Sequence, residues 1–82
     1  MKVKKEWGVP EQYVIDHEKS IYFQSFNSII AAKIKGKIFL DAEKWNYSKT
    51  TGKYRNLFLN EDIKTTREKI ASGEYKLINL NE

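Results

Sequence analysis

Ser28-Ile29-Ile30-Ala31-Ala32-Lys33-Ile34-Lys35-Gly36-Lys37-Ile38-Phe39-Leu40-Asp41-Ala42 is the stretch that decides the fold. Two β-prone runs flank Lys35-Gly36, and a two-residue X-Gly link between such runs predicts a hairpin, because glycine enters the positive-φ turn without a Cβ clash. Pairing across that turn sets Ile34 opposite Lys37. A period of two then places Ile30, Ala32 and Ile34 on one face of the first strand. On the second strand it places Ile38 and Leu40 together, with Phe39 and Asp41 on the other side.

Upstream of the hairpin, Ile21–Phe26 is rich in aromatics, and Tyr13-Val14-Ile15 is a shorter β-prone run. Before these lies a basic arm, residues 1–10, carrying Lys2, Lys4 and Lys5 and ending at the turn signal Gly8-Val9-Pro10. The arm is expected to be flexible, or to act as a swapped or partner-binding strand. Residues 11–82 are expected to form one domain.

Downstream the period changes. Ser48 is placed to cap a helix running to about Leu59, with Tyr54, Leu57 and Phe58 at i, i+3 and i+4 on one apolar face. Asn60 or Asp62 caps a second helix that ends at Ser72-Gly73, where glycine suits the left-handed C′ position. Tyr75–Leu80 reads as a closing strand with Tyr75, Leu77 and Asn79 on one face. The order β-β-β-α-α-β, strands ahead of helices, predicts an α+β fold: a small antiparallel sheet with two helices packed on one face.

The bulk properties narrow the function. Eighty-two residues make one domain with little room for a deep pocket. There is no cysteine, which favours a reducing compartment and removes thiolate chemistry. No apolar run approaches the roughly 20 residues of a membrane span, and the basic start is not followed by the apolar stretch of a secretory signal.

Candidate chemistry is sparse. The single histidine, His17, lies between Asp16 and Glu18, but neighbours on a strand point to opposite faces, so neither carboxylate orients it as a general base. Asn60-Glu61-Asp62 lacks the spacing of a calcium loop, and Gly52-Lys53 lacks the earlier glycine and the following Ser or Thr of a phosphate-binding loop. No enzyme, cofactor or metal site is expected.

One segment carries a charge signal. Lys44, Lys49, Lys53 and Arg55 fall within residues 44–59 with no acid among them, whereas the rest of the chain balances eleven basic against eleven acidic residues. The whole net charge of +4 thus resides here. Trp45, Tyr47 and Tyr54 are interleaved with the cations, a mixture that suits phosphates and bases or a Tyr- or Trp-rich protein interface with a mixed-charge rim. The same aromatics also suit a core, and Ser48, Thr50 and Thr51 suit a turn and a cap. The candidate partner-binding residues are Lys44, Tyr47, Lys49, Lys53 and Arg55, the last favoured for its bidentate fork.

This segment also carries a resemblance. Lys44-Trp45-Asn46-Tyr47-Ser48-Lys49-Thr50-Thr51-Gly52-Lys53-Tyr54-Arg55-Asn56, with Thr66–Tyr75, Leu77–Asn81 and the upstream Ile38-Phe39-Leu40-Asp41, resembles a family of short uncharacterised bacteriophage proteins over roughly residues 20–81. The resemblance implies a phage or prophage context, a host bacterial cytoplasm and an accessory role. The expected function is non-catalytic: occupation of a host macromolecule, a defence protein such as a CRISPR nuclease or a replication protein, alone or as a protein–nucleic acid complex. The alternative is direct nucleic-acid binding through residues 44–55. A homo-oligomer is compatible with either.

Overall fold

A computed structural model describes residues 2–81. Met1 and Glu82, the outermost residues of the expected arm and domain, lie outside the described residues. The chain runs β1 (Lys2–Lys4), β2 (Gln12–His17), β3 (Ser20–Ser25), β4 (Ser28–Ile34), β5 (Lys37–Asp41), α1 (Lys49–Leu59), α2 (Ile63–Ser72) and β6 (Tyr75–Ile78). Among the described residues the strands form one sheet in sequence order, 1-2-3-4-5-6. The fold is α+β, with helices on one face.

Two details of the expected order change. Five strands, not three, precede the helices: Tyr13–Ile15 belongs to a full strand, and the start of the arm is an edge strand. Lys2, Val3 and Lys4 pair antiparallel with Asp16, Ile15 and Val14. The sheet is also not wholly antiparallel, because β6 runs parallel to β5. Both helices lie between these two strands, the long crossover that a parallel neighbour requires.

The Lys35-Gly36 hairpin forms in the expected register, Ile34 opposite Lys37. Lys35 and Gly36 take φ of 52° and 78°, both positive as in the tight turn that matches strand twist. The face assignment of β4 shifts, however. A bulge between Phe23/Gln24 of β3 and β4 adds one residue to β4, so Ile30 and Ala31 both join the helix-side core while Ala32 lies across the sheet. Ile38 and Leu40 face the core together, as their spacing requires.

The core comprises Phe23, Ile30, Ala31, Leu40, Phe58 and Tyr75. Trp7, from the expected arm, closes it: its ring meets Phe23 edge-on at 5.7 Å and lies 5.3 Å from Tyr54. Helix α1 is seated by Thr51, Arg55 and Phe58, which are buried, whereas Leu57 is 51% exposed. The expected apolar stripe was therefore rotated, because two of the side chains that α1 buries are polar. Ser25 and Thr51 share a 2.8 Å hydrogen bond between sheet and helix. From β4, the Lys33 ammonium donates to the Phe58 carbonyl at 2.9 Å, supplying a cation to a helix whose last turn carries none.

Candidate functional site

The segment from Ala42 to Lys53 joins β5 to the first turns of α1, and it is held at three points. At its start Asp41 is buried, and its Oδ2 accepts from the backbone N–H groups of Glu43 (3.2 Å) and Lys44 (2.8 Å). This is the turn-forming habit of a short carboxylate. At its end Ser48 caps α1, accepting from the Thr51 N–H at 3.1 Å. In the middle Arg55 reaches back from α1. Its Nη1 donates to the Trp45 carbonyl (2.9 Å) and Asn46 Oδ1 (3.0 Å), and its Nη2 to Asn56 Oδ1 (2.9 Å). The Arg55 guanidinium also lies 5.2 Å from the Trp45 ring.

Arg55 is 1% exposed. It was the favoured cation in the sequence and is not part of the surface. Its two Nη groups donate to one backbone carbonyl and two side-chain amides while its buried Nε has no partner, and no carboxylate is among its hydrogen-bond partners. Burial pushes the guanidinium below its ordinary value, and Arg67 adds to that while Glu61 opposes it. Gly52 lies beside it: a Cβ there would sit 3.6 Å from either Nη, an ordinary contact distance.

The other four candidates are exposed. Tyr47 is 42% exposed, with the Lys44 ammonium 5.2 Å from its ring. Lys49 and Lys53 occupy i and i+4 of α1 and so share one helix face. The Lys53 ammonium lies 5.4 Å from the ring of Tyr54, which is half-buried against Trp7. None of the three lysines forms an ion pair among the described residues. The first turn of α1 contains no acid. A lysine at a helix N-terminus is unfavourable for the helix itself, since the backbone dipole is positive there. The end of α1 therefore projects concentrated positive potential beside an exposed ring.

His17 is exposed at the end of β2. Among the described residues no group of three or more His, Cys, Asp or Glu side chains is placed to hold a metal ion. No described helix is long and apolar enough to cross a membrane.

These features define a small open-sheet α+β domain that displays a basic, tyrosine-bearing surface on a well-anchored loop. The chain belongs to a family of unknown function, DUF8033, matched over residues 1–74. That match includes the N-terminal arm, which the phage-protein resemblance left out, in keeping with the place of Trp7 in the core. No curated protein and no solved structure matches the chain.

Proposed function

We propose that the chain is a non-catalytic binding module that docks the surface formed by Lys44, Tyr47, Lys49 and Lys53 onto an acidic face of a macromolecule. The observation that carries this reading is Lys49 at the N-terminus of α1 with no acid in that turn, a placement that costs helix stability and concentrates positive charge. Tyr47 offers the ring, half in water and half against Lys44, that suits an interface anchor. Glu43, exposed beside Lys44, gives the patch a mixed-charge rim, which favours a protein over a nucleic-acid partner. With the phage-protein resemblance, the partner is a host bacterial protein of a defence system, CRISPR nucleases included, or of replication, met in the host cytoplasm. Direct binding to nucleic acid is the second reading, favoured by the three lysines that lack carboxylate partners.

The test compares parent protein with a Lys49→Glu/Lys53→Glu variant, using capture from nuclease-treated host lysate and gel shift with purified nucleic acid. The parent should retain a protein after nuclease treatment and the variant should lose it. The variant should also melt slightly higher than the parent, because an acid in the first turn of α1 stabilises it by about 0.3–1 kcal/mol. Tight, salt-sensitive binding of the parent to nucleic acid alone would promote the second reading. Equal capture by both proteins would refute the site.

A further inference from the structure

Val14 and Phe23 pack into the core beneath the helices, so Tyr13, Ile15 and Gln24, their neighbours along β2 and β3, lie on the opposite face of the sheet. There an open depression of about 340 Å³ is lined by Val3, Tyr13 and Ile15, with Glu11 and Phe26 where the turn between β3 and β4 meets the start of β2. Its volume is at the small end of the range of about 300–1,000 Å³ that ligand sites occupy.

Phe26 stands where the backbone favours glycine. With Asn27 it links Ser25 to Ser28, and of the two only Phe26 has positive φ, 56°. That is the pattern of a two-residue II′ turn, whose first position is the glycine position. A large side chain is uncommon there. The ring is not buried in compensation, being 39% exposed. Glu11 departs in the same way, with φ of 68°. Its carbonyl accepts from the Phe26 N–H at 2.7 Å, so two residues in the left-handed region stand side by side at the depression. Gln24, also in the lining, donates from Nε2 to the Phe26 carbonyl at 2.9 Å and holds the turn. Backbone strain of this kind persists where the surroundings over-determine it, and it collects at ligand sites.

We infer that the depression receives the side chain of an arginine from a partner protein. The lining supplies the chemistry. Among the described residues that line it, Glu11 is the only one with a charged side chain, and it is an acid in a chain whose net charge is +4. Aromatic rings beside a carboxylate select a cation, because the ring face attracts positive charge and the carboxylate pairs with it. An anion would be repelled by Glu11. Val3 and Ile15 suit the aliphatic stem of a long cationic side chain. A planar guanidinium can lie on a ring and turn its fork to a carboxylate at once, which a compact ammonium cannot. Helix α1 packs on the other face, through Thr51 and Phe58, so this site and the basic surface do not compete for one partner group.

The test titrates the isotope-labelled chain with arginine blocked at both ends, acetylated and amidated, and follows it by NMR. Saturable shifts should appear at Glu11, Tyr13, Ile15 and Phe26. The dissociation constant should be about 1–10 mM, the range that one ring contact and one exposed ion pair support. Blocked citrulline, which has the same shape without the charge, should bind about fivefold or more weakly. Glu11→Gln should weaken arginine about two- to fivefold through loss of the ion pair. Phe26→Gly should do so to a similar extent through loss of the ring, and it should keep the fold because glycine is preferred at that position. The inference would be overturned by the absence of saturable shifts at these residues, by citrulline binding as tightly as arginine, or by an unchanged constant in either folded variant. A Phe26→Gly protein that melts well below the parent would overturn it too, since the ring would then serve the fold.

Discussion

Arg55 shows how a residue can carry a strong surface signal and serve the interior. Its guanidinium links the loop at Trp45 and Asn46 to α1, so the exposed Tyr47 and Lys44 depend on a side chain that is itself out of solvent. Arg55→Met should cost about 2–4 kcal/mol in a denaturant melt, because the Trp45 carbonyl and two amide oxygens lose their donor. Arg55→Lys should restore little of it, since an ammonium cannot span those acceptors with a planar fork. Gly36 is the other residue whose replacement has a clear sign. Nothing lies within 4 Å of the Cβ it would acquire, but its φ is +78°. Gly36→Val should therefore lower the melting temperature through backbone strain alone, whereas Lys35→Asn, at φ 52°, should be neutral or raise it.

At the scale of elements, α1 is a helix arranged against its own stability. It has Lys49 where an acid is favoured, no cation in its last turn and a glycine in its second. Lys33 and the buried contacts of Thr51, Arg55 and Phe58 keep it in place. Gly52→Ala tests the balance. The new Cβ would meet Asn46 Oδ1 at 3.5 Å and Arg55 at 3.6 Å, ordinary contact distances. The substitution should raise stability by up to about 1 kcal/mol through helix propensity, measured as a shift in the urea midpoint at unchanged slope. A loss instead would mean that Arg55 needs the whole of the space.

For the whole molecule, the last strand and the C-terminal tail are tied in by carboxylates, which makes stability depend on pH. Burial would raise the Asp41 carboxyl, but N–H groups of Leu80, Lys44 and Glu43 and the Asn81 side chain outweigh it and hold it below the ordinary value. Glu61 behaves likewise: burial raises it, and hydrogen bonds from Thr66, Lys69 and Tyr75 bring it down. A carboxyl depressed in the folded state stabilises above its unfolded value, about 4, and that contribution is lost as pH falls through the folded one. Unfolding measured from neutral pH downwards should therefore show stability declining below about pH 4. Glu61→Gln should be less stable at neutrality and show a shallower acid decline. Tyr75 is raised by burial and by Glu61, and Lys69 by its hydrogen bond to Glu61, so the same cluster should also weaken above about pH 10.

Local chemistry was enough to place the hairpin at Lys35-Gly36, the cap at Ser48, the glycine stop at Gly73 and the α+β class, and to narrow the second cap to Asn60 or Asp62, of which Asp62 is the one used, because each rests on residues within a few positions of one another. The Lys44, Tyr47, Lys49 and Lys53 surface was legible as a charge excess in the chain, and those four side chains lie in water. Tertiary structure decided the rest. The bulge that turns Ile30 inward depends on how β4 meets β3. The parallel seat of β6 depends on where two helices carry the chain, and Trp7 enters the core only once β1 has paired with β2. Arg55 was misread for the same reason. Its charge is a property of the residue, but its burial comes with three neutral acceptors that only the folded chain brings around it.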